Sequence, residues 1–108
     1  MTETHENRPV GPGWGGPLTD RSGTTPDAAS NTVVPFRPGR MYLFVQNIDA
    51  AADLWLRFAN DPVIGAPGSV QMAAGDVLIW GDGGGFCPDG SVHVISAAAG
   101  VPYTIWEG

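Results

Sequence analysis

Large apolar side chains are sparse up to Phe36 and then recur in short runs to the end of the chain. The runs are rich in β-branched and aromatic residues, and Pro-Gly, Ala-Gly and Asp-Gly pairs separate them, the composition of strands joined by tight turns. The pattern predicts strands over about 40–47, 53–59, 69–73, 76–80, 91–97 and 101–106. Short strands at roughly ten-residue spacing point to an all-β fold, a small antiparallel β-sandwich or barrel of about six strands. The alanines within Ile48–Leu56 leave room for a helical turn there, too short to change the class.

A half-buried antiparallel strand should alternate apolar and polar residues, yet several of these strands are apolar on both faces. Met41, Leu43 and Val45 share one face, and Tyr42 and Phe44 the other. Val77 and Ile79 oppose Leu78 and Trp80, while Tyr103 and Ile105 oppose Trp106. A domain of this size has limited core capacity, so some of these side chains need cover from a docked segment or a neighbouring subunit. Tyr42, Phe44, Trp55, Trp80 and Trp106 are the candidate partner-binding residues in the strands.

Composition divides the chain near residue 36. Residues 1–35 are rich in Pro, Gly, Thr and Asp, and such a segment cannot bury enough surface to fold alone. They are expected to form an extended Pro/Gly-rich docking arm, with 36–108 as the sandwich or barrel domain. Trp14, isolated among glycines, and Leu18 are the arm's main large apolar side chains and its candidate anchors in a partner's pocket.

Charge and inventory exclude much chemistry. The chain has five Arg, no Lys, eleven acidic residues and a net charge of −6, which argues against a phosphate-binding surface for nucleic acid. Without Lys there is no Schiff-base chemistry and no P-loop lysine. Cys87 is the single cysteine, so no internal disulfide forms. The polar N-terminus does not read as a signal peptide and no run is long enough to span a membrane; folding in a reducing cytoplasm is the simplest expectation.

Catalytic patterns such as HExxH, GxSxG and Cys-x-x-Cys are missing, and the two histidines are His5 in the arm and His93 in a strand. His93 as a general base would need a positioned partner, so a structural role is expected. The glycine loop 81–90 carries Asp82 and Asp89, which invite a calcium reading, but the spaced ligands of an EF-hand are absent. A long hairpin connection using glycine conformations is the expectation. Cys87, between Phe86 and Pro88, lacks a basic neighbour in sequence, so a reactive thiolate is not expected. No catalytic residue, metal or cofactor is therefore assigned.

Two stretches carry a resemblance. Arg40-Met-Tyr-Leu-Phe-Val-Gln-Asn47, followed by Asp53-Leu-Trp-Leu-Arg-Phe58, resembles the start of small virion structural proteins of tailed bacteriophages. The close, Val94-Ile-Ser-Ala-Ala-Ala-Gly-Val-Pro-Tyr-Thr-Ile-Trp-Glu-Gly108, is similar to the final strand of the same proteins. The resemblance covers about residues 37–108 and brings no catalytic residues. It implies a non-enzymatic decoration, cement or head-fibre-base subunit at the virion capsid surface, assembled in the host cytoplasm. The partner it implies is the major capsid protein, and the expected state is a homotrimer, with no nucleic acid or membrane contact. The tryptophans leave a second reading open, a carbohydrate-binding β-sandwich module on a phage fibre or tail. A calcium-dependent or cupin-like enzyme is a third.

Overall fold

A computed structural model describes residues 18–26, 31–81 and 85–108. Among them the chain forms nine strands: β1 (Thr19–Asp20), β2 (Gly23–Thr24), β3 (Asn31–Val34), β4 (Leu43–Asn47), β5 (Leu54–Phe58), β6 (Val70–Met72), β7 (Val77–Trp80), β8 (Val92–Ile95) and β9 (Pro102–Glu107). The six strands expected from the apolar runs are β4 to β9. No helix forms among the described residues. Where a helical turn had room, Asp49 Oδ2 instead accepts the N–H groups of Ala51 (2.9 Å) and Ala52 (2.7 Å). These bonds, Ala52's first, hold the Asp49 carboxyl below the usual range.

The strands build two antiparallel sheets. One runs β1-β9-β4-β7, with β2 also on β9; the other runs β3-β8-β5-β6. With β1 and β2 counted as one interrupted strand, the orders are 1-8-3-6 and 2-7-4-5. That is the order produced when a long antiparallel ribbon folds over on itself, a jelly roll.

Parity decides the core. Leu43, Val45, Leu54, Leu56, Val92, Val94, Tyr103 and Ile105 point between the sheets and are buried, joined by Val34, Met72 and Val101. The alternation is complete in β4, β8 and β9. At one side of the sandwich Trp80 of β7 meets Phe58 of β5, ring centroids 5.3 Å apart and planes at 87°, an edge-to-face pair that closes the gap between sheets. Gly81 follows at φ +80°, where a Cβ would lie 1.9 Å from the Met41 carbonyl oxygen, so only glycine lets the backbones of β7 and the start of β4 approach this closely.

Both ends of β4 are held by buried polar groups. Asn47 donates through Nδ2 to the carbonyls of Ala52 (2.8 Å) and Met72 (2.9 Å), tying the β4–β5 connection to β6. At the other end Arg40 and Glu107, both with fully buried side chains, pair at 2.9 Å. Arg40 also donates to the carbonyls of Pro35 (2.8 Å), Pro88 (2.8 Å) and Gly90 (2.9 Å). Arg21 Nε bonds the second Glu107 oxygen at 2.9 Å, and Arg37 lies 3.9 Å from the first. One carboxylate thus joins segments from both sheets.

Part of the segment expected as an arm pairs with the sheets. Residues 19–24 pair with β9, and 31–34 pair with β8. Thr25 is buried, exchanges backbone bonds with Val101 and Gly100, and donates through Oγ1 to Ala98 O. Composition does not reveal β1 and β2, because they are exposed, polar and held through backbone bonds that need no apolar pattern. The arm's remaining residues, 1–17 and 27–30, lie outside the described residues, Trp14 and His5 among them.

Deleting 1–35 should therefore destabilise the body rather than leave it intact. Loss of the buried Leu18 and Val34 side chains alone removes about 3–6 kcal/mol of burial, against a typical total of about 5–15 kcal/mol. Urea denaturation of the 36–108 fragment is expected to give a much lower midpoint or no folded baseline; a midpoint equal to the full chain's would contradict the assignment.

Candidate functional site

The alternation that buries one face of each strand fixes what the outer faces carry. On the β1-β9-β4-β7 sheet, the register places Phe44 opposite both Ile79 and Trp106. Ile79, Phe44 and Trp106 thus form a row across three adjacent strands, where a solvated sheet would carry polar side chains. The next row is Val77, Gln46 and Thr104. Val77 and Ile79 are 42% and 46% exposed, while Phe44 and Trp106 are half-buried. On the opposite sheet, Trp55 faces outward between Gln71 of β6 and Ile95 of β8. Gln71 donates to Asp53 Oδ2 at 2.6 Å beside it.

The predicted partner residues are thereby separated. Phe44 and Trp106 come together on one outer face, and Trp55 stands on the other. Trp80 points to the core side, where the edge-to-face pair with Phe58 occupies it. Leu18 and Tyr42 are covered by the chain itself, each 8% exposed. Tyr42 precedes the first paired residue of β4, and its backbone exchanges two bonds with the C-terminal Gly108, so strict alternation does not extend to it. Trp14 lies outside the described residues.

Sequence reasoning named the two apolar faces of residues 76–80 but not the segment 62–70 that precedes them. Among the described residues, nine large apolar side chains are exposed, and five of them are Val63, Ile64, Val70, Val77 and Ile79. The signal was legible: no charged residue occurs between Asp61 and Asp76. Such depletion of charge marks the centre of protein–protein interfaces.

His93 has polar partners on both ring nitrogens. Ser91 Oγ lies 2.9 Å from its Nε2, and Thr32 Oγ1 and Asp61 Oδ1 lie 3.0 and 3.2 Å from its Nδ1. A serine, an imidazole and a carboxylate in series is the order of a hydrolytic triad. Here, however, Asp61 is 74% exposed on its side chain and shares Nδ1 with Thr32. Efficient acyl transfer further needs donors preset around a developing oxyanion in a water-poor site, and two of the four members, Thr32 and Asp61, are exposed. What the bonds do is tie β3, β8 and the segment after β5 together.

In the glycine loop, Asp82 lies outside the described residues, and the Asp89 carbonyl accepts the Arg37 N–H at 2.9 Å. Among the described residues, no three His, Cys, Asp or Glu side chains converge as a metal site would require. Cys87 has a basic neighbour after all, brought by the fold: Arg40 reaches the Pro88 carbonyl beside it. Burial nevertheless outweighs that cation and pushes the thiol above its ordinary pKa.

The chain matches no family model, no curated protein sequence and no solved structure significantly.

A raised pKa leaves less thiolate at neutral pH, and thiolate is the nucleophile. Iodoacetamide at pH 7 should therefore alkylate Cys87 several-fold more slowly in the folded protein than in urea. Equal rates, followed by mass spectrometry, would show that burial does not protect it.

Proposed function

We propose that this is a non-enzymatic structural protein that works by packing its outer sheet face against protein partners, as a decorating or stabilising subunit of a bacteriophage capsid. The observation that carries the reading is the row Ile79–Phe44–Trp106 on the outer face of the β1-β9-β4-β7 sheet. Two aromatics and an aliphatic in register, on a face that a solitary sandwich would solvate, are what an interface core contains. The jelly-roll strand order supports the same reading, since capsid proteins use it, but lectins and cupins do too. Fold alone does not choose among them. The proposed partner is the major capsid protein, and the proposed location is the virion surface.

A second reading, a carbohydrate-binding module, is favoured by one feature. Trp55 stands on the other sheet beside the hydrogen-bonded Asp53–Gln71 pair, and a flat aromatic next to amide and carboxylate groups suits sugar stacking.

The test adds full-length protein to phage shells assembled without it and measures occupancy by imaging. Trp106→Ala, with its melting curve checked, is expected to weaken binding about 30-fold, as loss of an interface hot spot worth about 2 kcal/mol does. Binding unchanged by Trp106→Ala, together with glycan binding lost in Trp55→Ala, would replace this reading with the second.

A further inference from the structure

Each sheet of a sandwich has two edges, and an unpaired edge is a template for another strand unless something blocks it. Among the described residues, three of the four edges are blocked. The β1/β2 edge is broken in the middle and carries Asp20 and Arg21 at the break. β3 shifts register between Thr32 and Val34 and runs into Pro35. β6 has only three residues and follows Pro67-Gly68. The fourth edge, β7, reads Val-Leu-Ile-Trp, with no charge, proline or register shift.

The hydrogen-bond phase of that edge is also determined. Asn47 N–H donates to Asp76 O at 3.0 Å. In an antiparallel ladder, bonded and non-bonded pairs alternate, so Val45/Leu78 and Leu43/Trp80 exchange bonds across β4 and β7. The N–H and C=O groups of Val77 and Ile79 consequently point away from β4, into an edge that pairs with no other strand among the described residues.

We infer that two copies of this chain pair edge to edge through β7, around a two-fold axis at Leu78, making one continuous sheet. In that register Val77 of each copy faces Ile79 of the other, and their outward-pointing groups form four backbone hydrogen bonds. Leu78 meets its own counterpart as a non-bonded pair. On the outer face, the row Trp106–Phe44–Ile79 continues onto the second copy's Val77, so its exposed end becomes covered.

Charge selects a second copy as the occupant. A chain of net charge −6 repels its own kind wherever its carboxylates face each other, and the Pro62–Gly75 stretch beside this edge carries none. The one acidic residue flanking β7 at that end, Asp76, accepts the Ala73 N–H at 2.9 Å. β6 and its preceding loop lie on the same side, because a short turn joins β6 to β7, and they add Val63, Ile64 and Val70 to the neutral surface. The contact is isologous and closes at two subunits, where the sequence reading expected three. It does not depend on the capsid setting.

The test uses full-length protein in analytical ultracentrifugation. A dimer is expected at micromolar concentration, and Ile79→Lys, a change the half-exposed site tolerates, should shift it to monomer by raising the dissociation constant at least about tenfold. A second variant, Leu78→Cys with Cys87→Ser, reads the axis directly. Non-bonded antiparallel pairs approach to about 4.5 Å between Cα atoms, within disulfide reach, so mild oxidation should give a covalent dimer. A wild-type monomer, a trimer, or a dimer that neither Ile79→Lys weakens nor Leu78→Cys cross-links would overturn the inference.

Discussion

The structure depends on a single buried carboxylate. Glu107, one residue from the C-terminus, is fully covered, and a carboxylate in that position costs several kcal/mol of lost hydration unless partners replace it. Arg40 meets one oxygen at 2.9 Å and Arg21 the other at 2.9 Å, with Arg37 at 3.9 Å. Arg40 in turn needs acceptors for its remaining donors, and the carbonyls of Pro35, Pro88 and Gly90 supply them. The geometry of one ion pair thereby fixes the path of the β3–β4 connection, the loop before β8, the break between β1 and β2, and the last strand. Removing Glu107 would leave the buried Arg40 charge without a counter-ion, and removing Arg40 would leave the buried carboxylate to the part-exposed Arg21 and Arg37, the expensive direction for such pairs.

This arrangement also shapes the surface. Of the chain's five arginines, Arg40 is withdrawn from the surface altogether and Arg21 and Arg37 lean toward Glu107, against eleven acidic residues in the chain. An acidic exterior suits neither nucleic acid nor an acidic partner. What remains for recognition is neutral: the Ile79–Phe44–Trp106 row and the charge-free side formed by residues 62–75 with β7. Polar closure at the end of the sandwich and apolar exposure beside β7 divide the molecule into a locked part and a part free to pair.

Periodicity made most of the strands legible before the structure. β4, β5, β8 and β9 alternate large β-branched or aromatic residues with turns between them, and local pattern suffices for such elements. The two-faced character of β4, β7 and β9 was equally readable, and it led to Phe44 and Trp106. Other features depend on contacts distant in sequence. β1 and β2 contain Thr, Asp and Gly, and nothing local distinguishes a polar edge strand held by backbone bonds from a loop. Trp80 and Ile79 look alike on the page, and only the packing of β5 beneath β7 turns one inward. Glu107 in a terminal Trp-Glu-Gly reads as solvated, because the arginines that bury it come from residues 21, 37 and 40. Ser91, His93 and Asp61 likewise meet only after β8 and the segment following β5 are placed side by side.

The most direct test of the account is a double-mutant cycle on Arg40 and Glu107, read by urea denaturation. Arg40→Met and Glu107→Leu should each cost about 3–5 kcal/mol, since each removes one member of the fully buried pair. The double variant should cost less than their sum by at least about 2 kcal/mol, within the range found for residues in one network. Single effects below about 1 kcal/mol, or additivity within about 0.5 kcal/mol, would contradict the claim that this pair holds the sandwich together.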